Sequence, residues 1–251
     1  MIIERLPYIY RLVRYFYDHK YGYCNICGRQ TIFLNISPWG KRNSYYCLYC
    51  KSISRERHIA KIVIDSYFKT KSLKDAVKSN NRIRIYSAAV NDAFYKILFY
   101  NYKDFYCSFY LDRNYKQNPP RMLFQDIQKL TYPDNFFDIV ITQDVLEHVK
   151  NYKQAFFEIK RVLKKGGVHI FSIPFDFFNK TKHYYEEREQ FDNKHIEGKV
   201  FHGKYLVYTE FGNDLLPYLE NLGYVTKIHV SDNKMKKYGI FESYVFESKK
   251  I

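Results

Sequence analysis

Four of the five cysteines form two pairs of equal spacing, Cys24-x2-Cys27 and Cys47-x2-Cys50. Each pair can place two thiolates on one tight turn, and two such turns can surround a metal ion tetrahedrally. The pattern therefore predicts a zinc site of four sulfur ligands, which leaves no open coordination position and is expected to be structural. Two disulfides are the alternative, which the lack of a secretion signal and a reducing compartment disfavour. The fifth, Cys107, lies in an apolar segment and is expected to be a small core residue.

A cluster of ionisable side chains follows the second cysteine pair and comprises Lys51, Arg55, Arg57 and His58. Together they can hold a phosphate group of a substrate. They can equally form an ordinary solvated face of the helix that apolar spacing predicts over 53–69. Both interpretations stay open at this point.

The composition is that of a folded protein with an uneven positive charge. The 251 residues are 46% apolar, which excludes a disordered or collagen-like chain, and the formal net charge is 41 − 26 = +15. Residues 1–80 hold 15 Lys and Arg against 5 Asp and Glu. This basic segment can attract RNA, a phosphorylated substrate or a lipid surface. Abundant Lys, Asn, Ile, Tyr and Phe with few Gly and Pro also indicate a coding sequence poor in G and C, which by itself can produce such a charge.

The start of the chain predicts no membrane insertion. No run of about 18 apolar residues occurs, so no membrane-spanning helix is expected. Charged residues interrupt the first segment, which argues against a secretory signal. Residues 2–18 instead fit a short amphipathic helix, and we expect a soluble, cytoplasmic protein.

Strands and helices alternate after residue 82, which predicts a parallel sheet covered by helices. Apolar segments predict strands at 83–87, 105–111, 136–142, 167–174, 224–230 and 240–247. Periodic spacing predicts helices at 91–100, 151–163 and 213–222. In the clearest helix, Asn151 is expected to cap the amino end, and Gly166-Gly167 to terminate the carboxyl end. Asp138 is expected to bond turn amides at the entry of a strand.

The central part of the chain resembles class I S-adenosylmethionine-dependent methyltransferases of type 11. The run is FQDIQKLTYPDNFFDIVITQDVLEHVKNYKQAFFEIKRVLKKGGVHIFSIPF, at 124–175, and its matching parts are Asp126, PDNFFDIVI, DVLEHV and EIKRVLKKGG. The later FHGKYLVYTEFGNDLLPYLENLGY is similar to the end of bacterial members that carry an N-terminal four-cysteine ribbon followed by an S-x-S-R-x-R-like segment. The resemblance covers roughly 200 of the 251 residues.

This resemblance implies an α/β, Rossmann-like methyltransferase fold, a mostly parallel twisted sheet with helices on both faces, and a small N-terminal zinc ribbon. It also implies two domains. Residues 1–70 would hold the N-terminal helix, the zinc ribbon and the following helix, and residues 81–251 the methyltransferase domain.

The implied S-adenosylmethionine site lies at the carboxyl ends of the strands, where ligands of such sheets collect. Asp112, after the second strand, is expected to accept the ribose hydroxyls, because a carboxylate can accept two of them. Asp126 and Ile127 are expected to contact the adenine. The remaining expected contacts follow the first and fourth strands, at Tyr86, Ser87, Ala88, Thr142 and Gln143.

The first loop departs from the family pattern. It reads SAAVND in place of a glycine-rich turn, and no glycine occurs between Gly40 and Gly166. Small residues keep the close approach of a cofactor sterically feasible, although left-handed backbone would cost alanine about 1 kcal/mol. A binding-competent site and a degenerate domain that has lost the cofactor both stay open.

Two histidines, His148 and His202, are candidates for the base that methyl transfer to a hydroxyl needs. His148 can equally be a packed, hydrogen-bonded histidine. The segment between the fifth strand and the last helix is rich in aromatic residues, which can stack on a planar or sugar-like acceptor or belong to the core: Phe175, Phe177, Phe178, Tyr184 and Tyr185.

We therefore expect a methyltransferase that acts on a small-molecule or sugar-containing acceptor at oxygen. One alternative is an RNA methyltransferase whose basic ribbon grips phosphates, although no Asn-Pro-Pro-Tyr motif is present. Another is a non-catalytic zinc-binding module on a degenerate methyltransferase fold, which the missing glycines favour.

Overall fold

A computed structural model describes residues 18–79, 82–88, 92–109, 122–184, 201–202 and 205–251. The chain divides into two compact units, each built from distant segments. The first unit comprises Met1–Arg82, Val90–Phe105 and Ile228–Val245, and the second comprises Ile83–Ala89, Tyr106–Lys227 and Phe246–Ile251. The division into domains 1–70 and 81–251 stays a prediction, and the helix expected at 2–18 lies almost entirely outside the described residues.

The first unit opens with a small antiparallel sheet that carries the cysteines. Its strands are β1 (His19–Cys24), β2 (Arg29–Leu34) and β3 (Tyr46–Cys47), in the order β1-β2-β3. The β1–β2 hairpin closes at the pair Cys24 and Arg29, and the Gly28 amide donates to the Cys24 carbonyl at 2.8 Å. Gly28 has a φ of 72°, a left-handed conformation that glycine adopts without the penalty of a Cβ.

Helices complete the first unit. α1 (Ser54–Val63) continues into a π-helical turn, Ile64–Phe68, and is followed by α2 (Leu73–Ala76). The helix predicted over 53–69 is therefore confirmed in extent, although its last turn is wider than an α-helix. Later segments add α3 (Ala93–Asn101) and a 3-10 helix, Asn233–Tyr238.

A seven-stranded sheet contains most of the longer strands. Its strands, in chain order, are β4 (Ile85–Ser87), β5 (Phe105–Phe109), β6 (Met122–Phe124), β7 (Phe137–Gln143), β8 (Leu163–Ser172), β14 (Tyr224–Val230) and β15 (Tyr244–Lys250). They follow the order β14-β15-β8-β7-β4-β5-β6. β4 with β7, β5 with β6 and β7 with β8 pair in parallel, whereas β15 pairs antiparallel with β8. The prediction of a mostly parallel sheet is confirmed.

Shorter elements lie between β8 and β14. These are β9 (Phe175–Asp176), β10 (Lys182–His183), β11 (Phe201–His202), β12 (Tyr205–Leu206), β13 (Thr209–Gly212) and α5 (Leu215–Asn221). β13 lies between β10 and β9 in a second small sheet. Among the described residues no helix is long and apolar enough to cross a bilayer.

The helix before β8 begins as predicted but ends earlier. α4 (Tyr152–Val162) is capped by the Asn151 side chain, which accepts from the Gln154 amide at 3.0 Å. The expected termination at Gly166-Gly167 is wrong, because Leu163 is extended and already pairs with Phe137 of β7. Both glycines lie inside β8. A Cβ on Gly167 would lie 2.9 Å from the Lys164 carbonyl oxygen. Glycine therefore allows the close backbone approach at the start of β8, where the pairing with β7 is irregular.

Cys107 and Asp138 both have the structural roles expected of them. Cys107 is completely buried in β5. The Asp138 carboxylate accepts from the backbone amide of Arg84 at 2.8 Å and from the Lys164 ammonium at 2.7 Å. Asp138 therefore joins the amino ends of β4 and β8, at the edge of the sheet opposite the expected cofactor site.

Candidate functional site

Parallel pairing brings the carboxyl ends of several strands to one edge of the sheet. Ser87 pairs with Ile141, and the Ala88 amide donates to the Ile141 carbonyl at 3.0 Å, so the β4 ladder extends to its final residue. β6 ends at Phe124, close in sequence to Asp126, and β7 ends at Gln143. The described part of this edge thus carries residues from three of the segments that the sequence analysis singled out.

Asp126 and Ile127 combine a carboxylate with a buried apolar side chain. The Asp126 carboxylate accepts from the Gln128 backbone amide at 2.9 Å and from the Gln128 side-chain amide at 3.1 Å, which fixes it in a turn. Asp126 remains partly exposed, whereas Ile127 is buried. A turn of this kind can present a carboxylate oxygen to an amino group beside an apolar surface.

Two predicted contact residues direct their side chains into the core. The Tyr86 hydroxyl bonds to the Ser108 hydroxyl at 2.5 Å, and its ring stacks on Phe137. Burial raises the pKa of Tyr86 above its ordinary value. Thr142 is fully buried, and its Oγ1 lies 2.9 Å from Nε2 of His169. A contact of Tyr86 or Thr142 with a cofactor would therefore involve the backbone.

Of the other predicted contact residues, some belong to the described part of the chain and some do not. Ser87 and Gln143 are buried, and Ala88 is half-buried at the end of β4. Asp112 lies outside the described residues, as does part of the SAAVND loop. The assignment of these positions to a cofactor site stays a prediction.

A bond between the ends of β7 and β8 was not expected from the sequence. The Asp144 amide donates to the Ser172 carbonyl at 2.9 Å, and the Ser172 hydroxyl donates to the Asp144 carboxylate at 3.1 Å. Asp144 has a φ of 49°, which is uncommon for a residue with a side chain. No local signal identifies Ser172 as its partner, since 28 positions separate them.

His148 is held in a defined orientation by a backbone carbonyl. It ends the 3-10 helix Leu146–His148, and its Nδ1 lies 2.8 Å from the Leu206 carbonyl oxygen. The same segments are joined again by the Tyr208 amide, which donates to the Glu147 carbonyl at 2.8 Å. His148 Nε2 lies 4.0 Å from the buried Glu147 carboxylate. His148 is thus hydrogen-bonded, and its role as a base stays a prediction.

Two further histidines, His183 and His202, lie on short strands between β8 and β14. His202 is in β11, paired with Tyr205, but its side chain lies outside the described part of the chain. His183 was not singled out in the sequence, where nothing marks it. Its Nδ1 lies 2.6 Å from the Thr209 hydroxyl, and burial lowers its pKa.

Some of the aromatic residues after β8 contact one another, and others are exposed. The Phe175 and Phe177 rings lie 4.9 Å apart, edge to face, whereas Phe178 is 90% exposed. The Tyr184 amide donates to the Tyr208 carbonyl at 2.8 Å. Tyr185 lies outside the described residues.

The four paired cysteines converge in the first unit. Their sulfur atoms all lie within 4.8 Å of one another, with Cys24 and Cys50 at 3.6 Å and Cys27 and Cys47 at 3.8 Å. All four are free thiols, so the disulfide alternative is absent from this structure. Four sulfurs about 2.3 Å from a central ion in a tetrahedron would be about 3.8 Å apart, which agrees with these separations.

Two of the four ionisable residues after the second cysteine pair are buried. Arg57 and His58 are completely buried, so neither can grip a phosphate from solvent. His58 Nδ1 bonds to the Ser243 hydroxyl at 3.1 Å, and burial lowers the pKa of His58 to about 4. Lys51 is exposed and Arg55 half-buried. The helical period alone did not predict this burial, because Arg57 and His58 bond to Gly239 and Ser243, which are far away in the sequence.

Part of the chain is similar to known proteins. Residues 106–171 match a family model described as a methyltransferase domain, of type 11. An uncharacterized methyltransferase of Schizosaccharomyces pombe is 54% identical over 41 residues, which are 16% of this chain and 15% of the yeast protein. The similarity to that relative is thus confined to a short segment of both proteins.

Solved structures of similar topology were also found. A protein of Listeria monocytogenes described as an S-adenosylmethionine-dependent methyltransferase is 12% identical, with a TM-score of 0.45, over 68% of this chain and 92% of that one. One from Thermotoga maritima, also described as an S-adenosylmethionine-dependent methyltransferase, is 21% identical, with a TM-score of 0.43, over 77% and 99%. Residues 106–171 are thus similar to a methyltransferase domain.

Proposed function

We propose that the protein transfers the methyl group of S-adenosylmethionine to a hydroxyl of a small-molecule or sugar-containing acceptor. The match of residues 106–171 to the methyltransferase domain family carries this proposal. The matched segment includes β6 and β7, whose carboxyl ends belong to the edge where ligands of parallel sheets bind.

The residues at this edge fit an adenosine-containing cofactor. The Asp126 carboxylate is fixed by Gln128 and stays partly exposed, so it can accept from an adenine amino group. Ile127 offers an apolar surface beside it. Asp112 would accept the ribose hydroxyls, and the backbone at Ser87 and Ala88 would line the approach to the first strand. When bound, the cofactor supplies a methyl group on a sulfonium, an excellent leaving group.

His148 is our candidate for the base. The Leu206 carbonyl oxygen can only accept, so the 2.8 Å contact requires the proton on Nδ1 of His148. Nε2 of the neutral imidazole then carries the lone pair that removes a proton from an acceptor hydroxyl. The Glu147 carboxylate, 4.0 Å from Nε2, would stabilise the imidazolium that forms. His202 remains the second candidate.

We further propose that Cys24, Cys27, Cys47 and Cys50 bind one structural zinc ion. Thiolates are the ligands that such sites use, and the observed separations agree with a tetrahedron. Four protein ligands complete the coordination, so this metal would stabilise the first unit and take no part in methyl transfer.

Titration calorimetry with S-adenosylmethionine and S-adenosylhomocysteine, on zinc-replete protein, tests the proposal. We expect the protein to bind both compounds. If it binds neither of them, only the non-catalytic zinc-binding module remains. Transfer of labelled methyl groups to a panel of phenols, catechols, monosaccharides and RNA then defines the acceptor, and labelling of RNA alone would overturn the small-molecule assignment.

The base is tested separately. We expect His148→Gln to lower the turnover number by about 10²- to 10⁴-fold while leaving the affinity for S-adenosylhomocysteine unchanged. His183→Gln is the matched control, because His183 bonds to Thr209 and has no assigned role. Normal turnover of His148→Gln would transfer the role to His202, for which the same substitution is the direct test.

A further inference from the structure

Arg57 is a completely buried arginine whose partners are neutral oxygen atoms. Its Nη2 donates to the carbonyl oxygens of Tyr45 at 2.5 Å and Gly239 at 2.7 Å. Its Nη1 donates to the carbonyl oxygen and, at 2.9 Å, to the hydroxyl of Ser52. The guanidinium therefore has several hydrogen bonds but no neutralising partner among them.

Among the described residues, no carboxylate oxygen lies within 4.0 Å of the Arg57 guanidinium. A buried charge without an opposite charge is strongly unfavourable, and a guanidinium does not lose its proton in proteins. The groups near Arg57 that can carry a negative charge are the sulfurs of Cys24, Cys47 and Cys50 and, with a smaller effect, the Glu56 carboxylate.

The Ser52 hydroxyl connects Arg57 to the cysteine cluster. Ser52 Oγ lies 2.9 Å from Arg57 Nη1, 3.2 Å from Cys50 Sγ and 3.5 Å from Cys24 Sγ. A hydroxyl that accepts from the guanidinium can donate to a thiolate sulfur. The Ser52 carbonyl also accepts from the Cys47 amide at 2.9 Å, so Ser52 touches both cysteine pairs.

The backbone around Arg57 is shaped to receive it. Tyr45 and Gly239, which both accept from Nη2, have φ angles of 56° and 69°. A Cβ on Gly239 would lie 2.6 Å from the Phe33 ring, so only glycine can bring this carbonyl to Arg57. The guanidinium carbon lies 4.3 Å from the centre of the Phe33 ring, which adds a cation–π contact.

We propose that Arg57, acting through Ser52, is the charge partner that positions the four thiolates and stabilises their zinc-bound form. This inference depends on the zinc site proposed above. Four thiolates and one Zn²⁺ carry a net charge of about −2, and a buried guanidinium one hydroxyl away removes part of that excess. The proposal also assigns roles to the CKSISRER segment: Ser52 contacts the sulfurs, and Arg57 supplies the charge.

Ser54 in the same segment has a different role. Its hydroxyl donates to the Phe241 carbonyl at 3.0 Å and accepts from the Phe241 amide at 2.7 Å. It thereby fixes the stretch that contains Gly239 near α1. Ser54 is thus a backbone anchor without contact to the sulfurs.

Zinc affinity and thiolate reactivity test the proposal, and neither depends on methyl transfer. We would compare the wild type with Ser52→Ala, Arg57→Lys and Arg57→Met, using Lys61→Met as the control. Lys61 lies on the same helix, pairs with Asp65 and has its ammonium 4.9 Å from the centre of the Tyr238 ring. Its replacement by Met changes the net charge by the same amount as Arg57→Met. The dissociation constant for zinc would be measured by competition with a chromophoric chelator, and alkylation of the zinc-loaded protein by iodoacetamide would be followed by mass spectrometry.

We expect Arg57→Met and Ser52→Ala to weaken zinc binding by about 10- to 100-fold, the range for groups that support metal ligands. Alkylation of their zinc-bound cysteines should be faster, because the thiolates lose a compensating charge. Arg57→Lys should fall between these variants and the wild type, since it keeps the charge without the planar fork. Lys61→Met should match the wild type in both measurements.

Wild-type zinc affinity and alkylation rates in both Ser52→Ala and Arg57→Lys would overturn the proposal. If Arg57→Met does not fold, those two variants still decide the question, because one keeps Arg57 and the other keeps its charge. A wild-type protein that binds no zinc would refute the zinc site itself, whereas normal zinc binding with unaffected variants would refute only the role of Arg57.

Discussion

His169 should make the protein less stable in mild acid, by an amount that its environment allows us to work out. The imidazole is completely buried in β8, between the rings of Phe156 and Phe171. Nε2 bonds to Thr142, and Nδ1 has no hydrogen-bond partner in the described structure. Protonation would therefore bury both a charge and an unpaired N–H donor. Burial lowers the pKa of His169 from 6.5 to about 3.

The sign and size of the effect follow from proton binding. Between pH 6.5 and about 3, the unfolded chain binds a proton at this position and the folded chain does not, so stability falls as the pH falls. Each pH unit in this window corresponds to about 1.4 kcal/mol. Acidification from about pH 7.5 to about pH 5 should thus remove about 2 kcal/mol of unfolding free energy through His169 alone.

Urea denaturation followed by far-ultraviolet circular dichroism, at both pH values, measures this quantity. His169→Gln keeps a polar group for Thr142 but cannot titrate, so it should lose about 2 kcal/mol less than the wild type on acidification. His58 is also buried and contributes a separate acid loss that is unchanged in this variant. His19→Gln, at an exposed position of β1, is the control and should behave like the wild type. An acid loss in His169→Gln equal to that of the wild type would refute the reasoning.

Three further predictions concern the cofactor, the metal and the backbone. Asp112→Ala should weaken S-adenosylmethionine binding by about 10²- to 10⁴-fold in calorimetry, the cost of two charge-assisted hydrogen bonds, and unchanged affinity would show that the second strand ends elsewhere. Cys47→Ser should abolish the binding of one equivalent of zinc, measured by elemental analysis, and retention of the metal would refute the ligand set. In Gly212→Ala a Cβ would lie 2.2 Å from the Asn179 carbonyl oxygen, so we expect a loss of about 2–3 kcal/mol in urea denaturation. Gly40→Ala is its control, since a Cβ there meets nothing within 4 Å and only the φ of 77° is strained, at about 1 kcal/mol.

Local patterns were sufficient to predict several of the elements and the cysteine cluster. The apolar run that became β7 predicted a buried parallel strand, and the amino end of α4 was placed correctly at Asn151. Two short spacings of cysteine predicted a four-sulfur group, which the fold assembles within 4.8 Å. These features depend on residues close together in the chain, so their geometry is set by helical and strand periods and by tight turns.

The partners of individual side chains could not be predicted in the same way. Arg57 bonds to Gly239, 182 positions away, and His148 bonds to Leu206, 58 positions away. Nothing within α1 distinguishes a buried arginine from a solvated one. Thr142 likewise has a partner on the neighbouring strand, at His169, and so faces the core.

The sequence by itself therefore determined which chemistry the chain can carry: four thiolates in two turns and carboxylates after parallel strands. Only the tertiary structure decided which polar side chains remain accessible to a ligand and which become internal supports. The physical reason is that hydrogen-bond partners and burial are set by how distant segments pack, whereas periodicity and spacing describe only the backbone next to each residue.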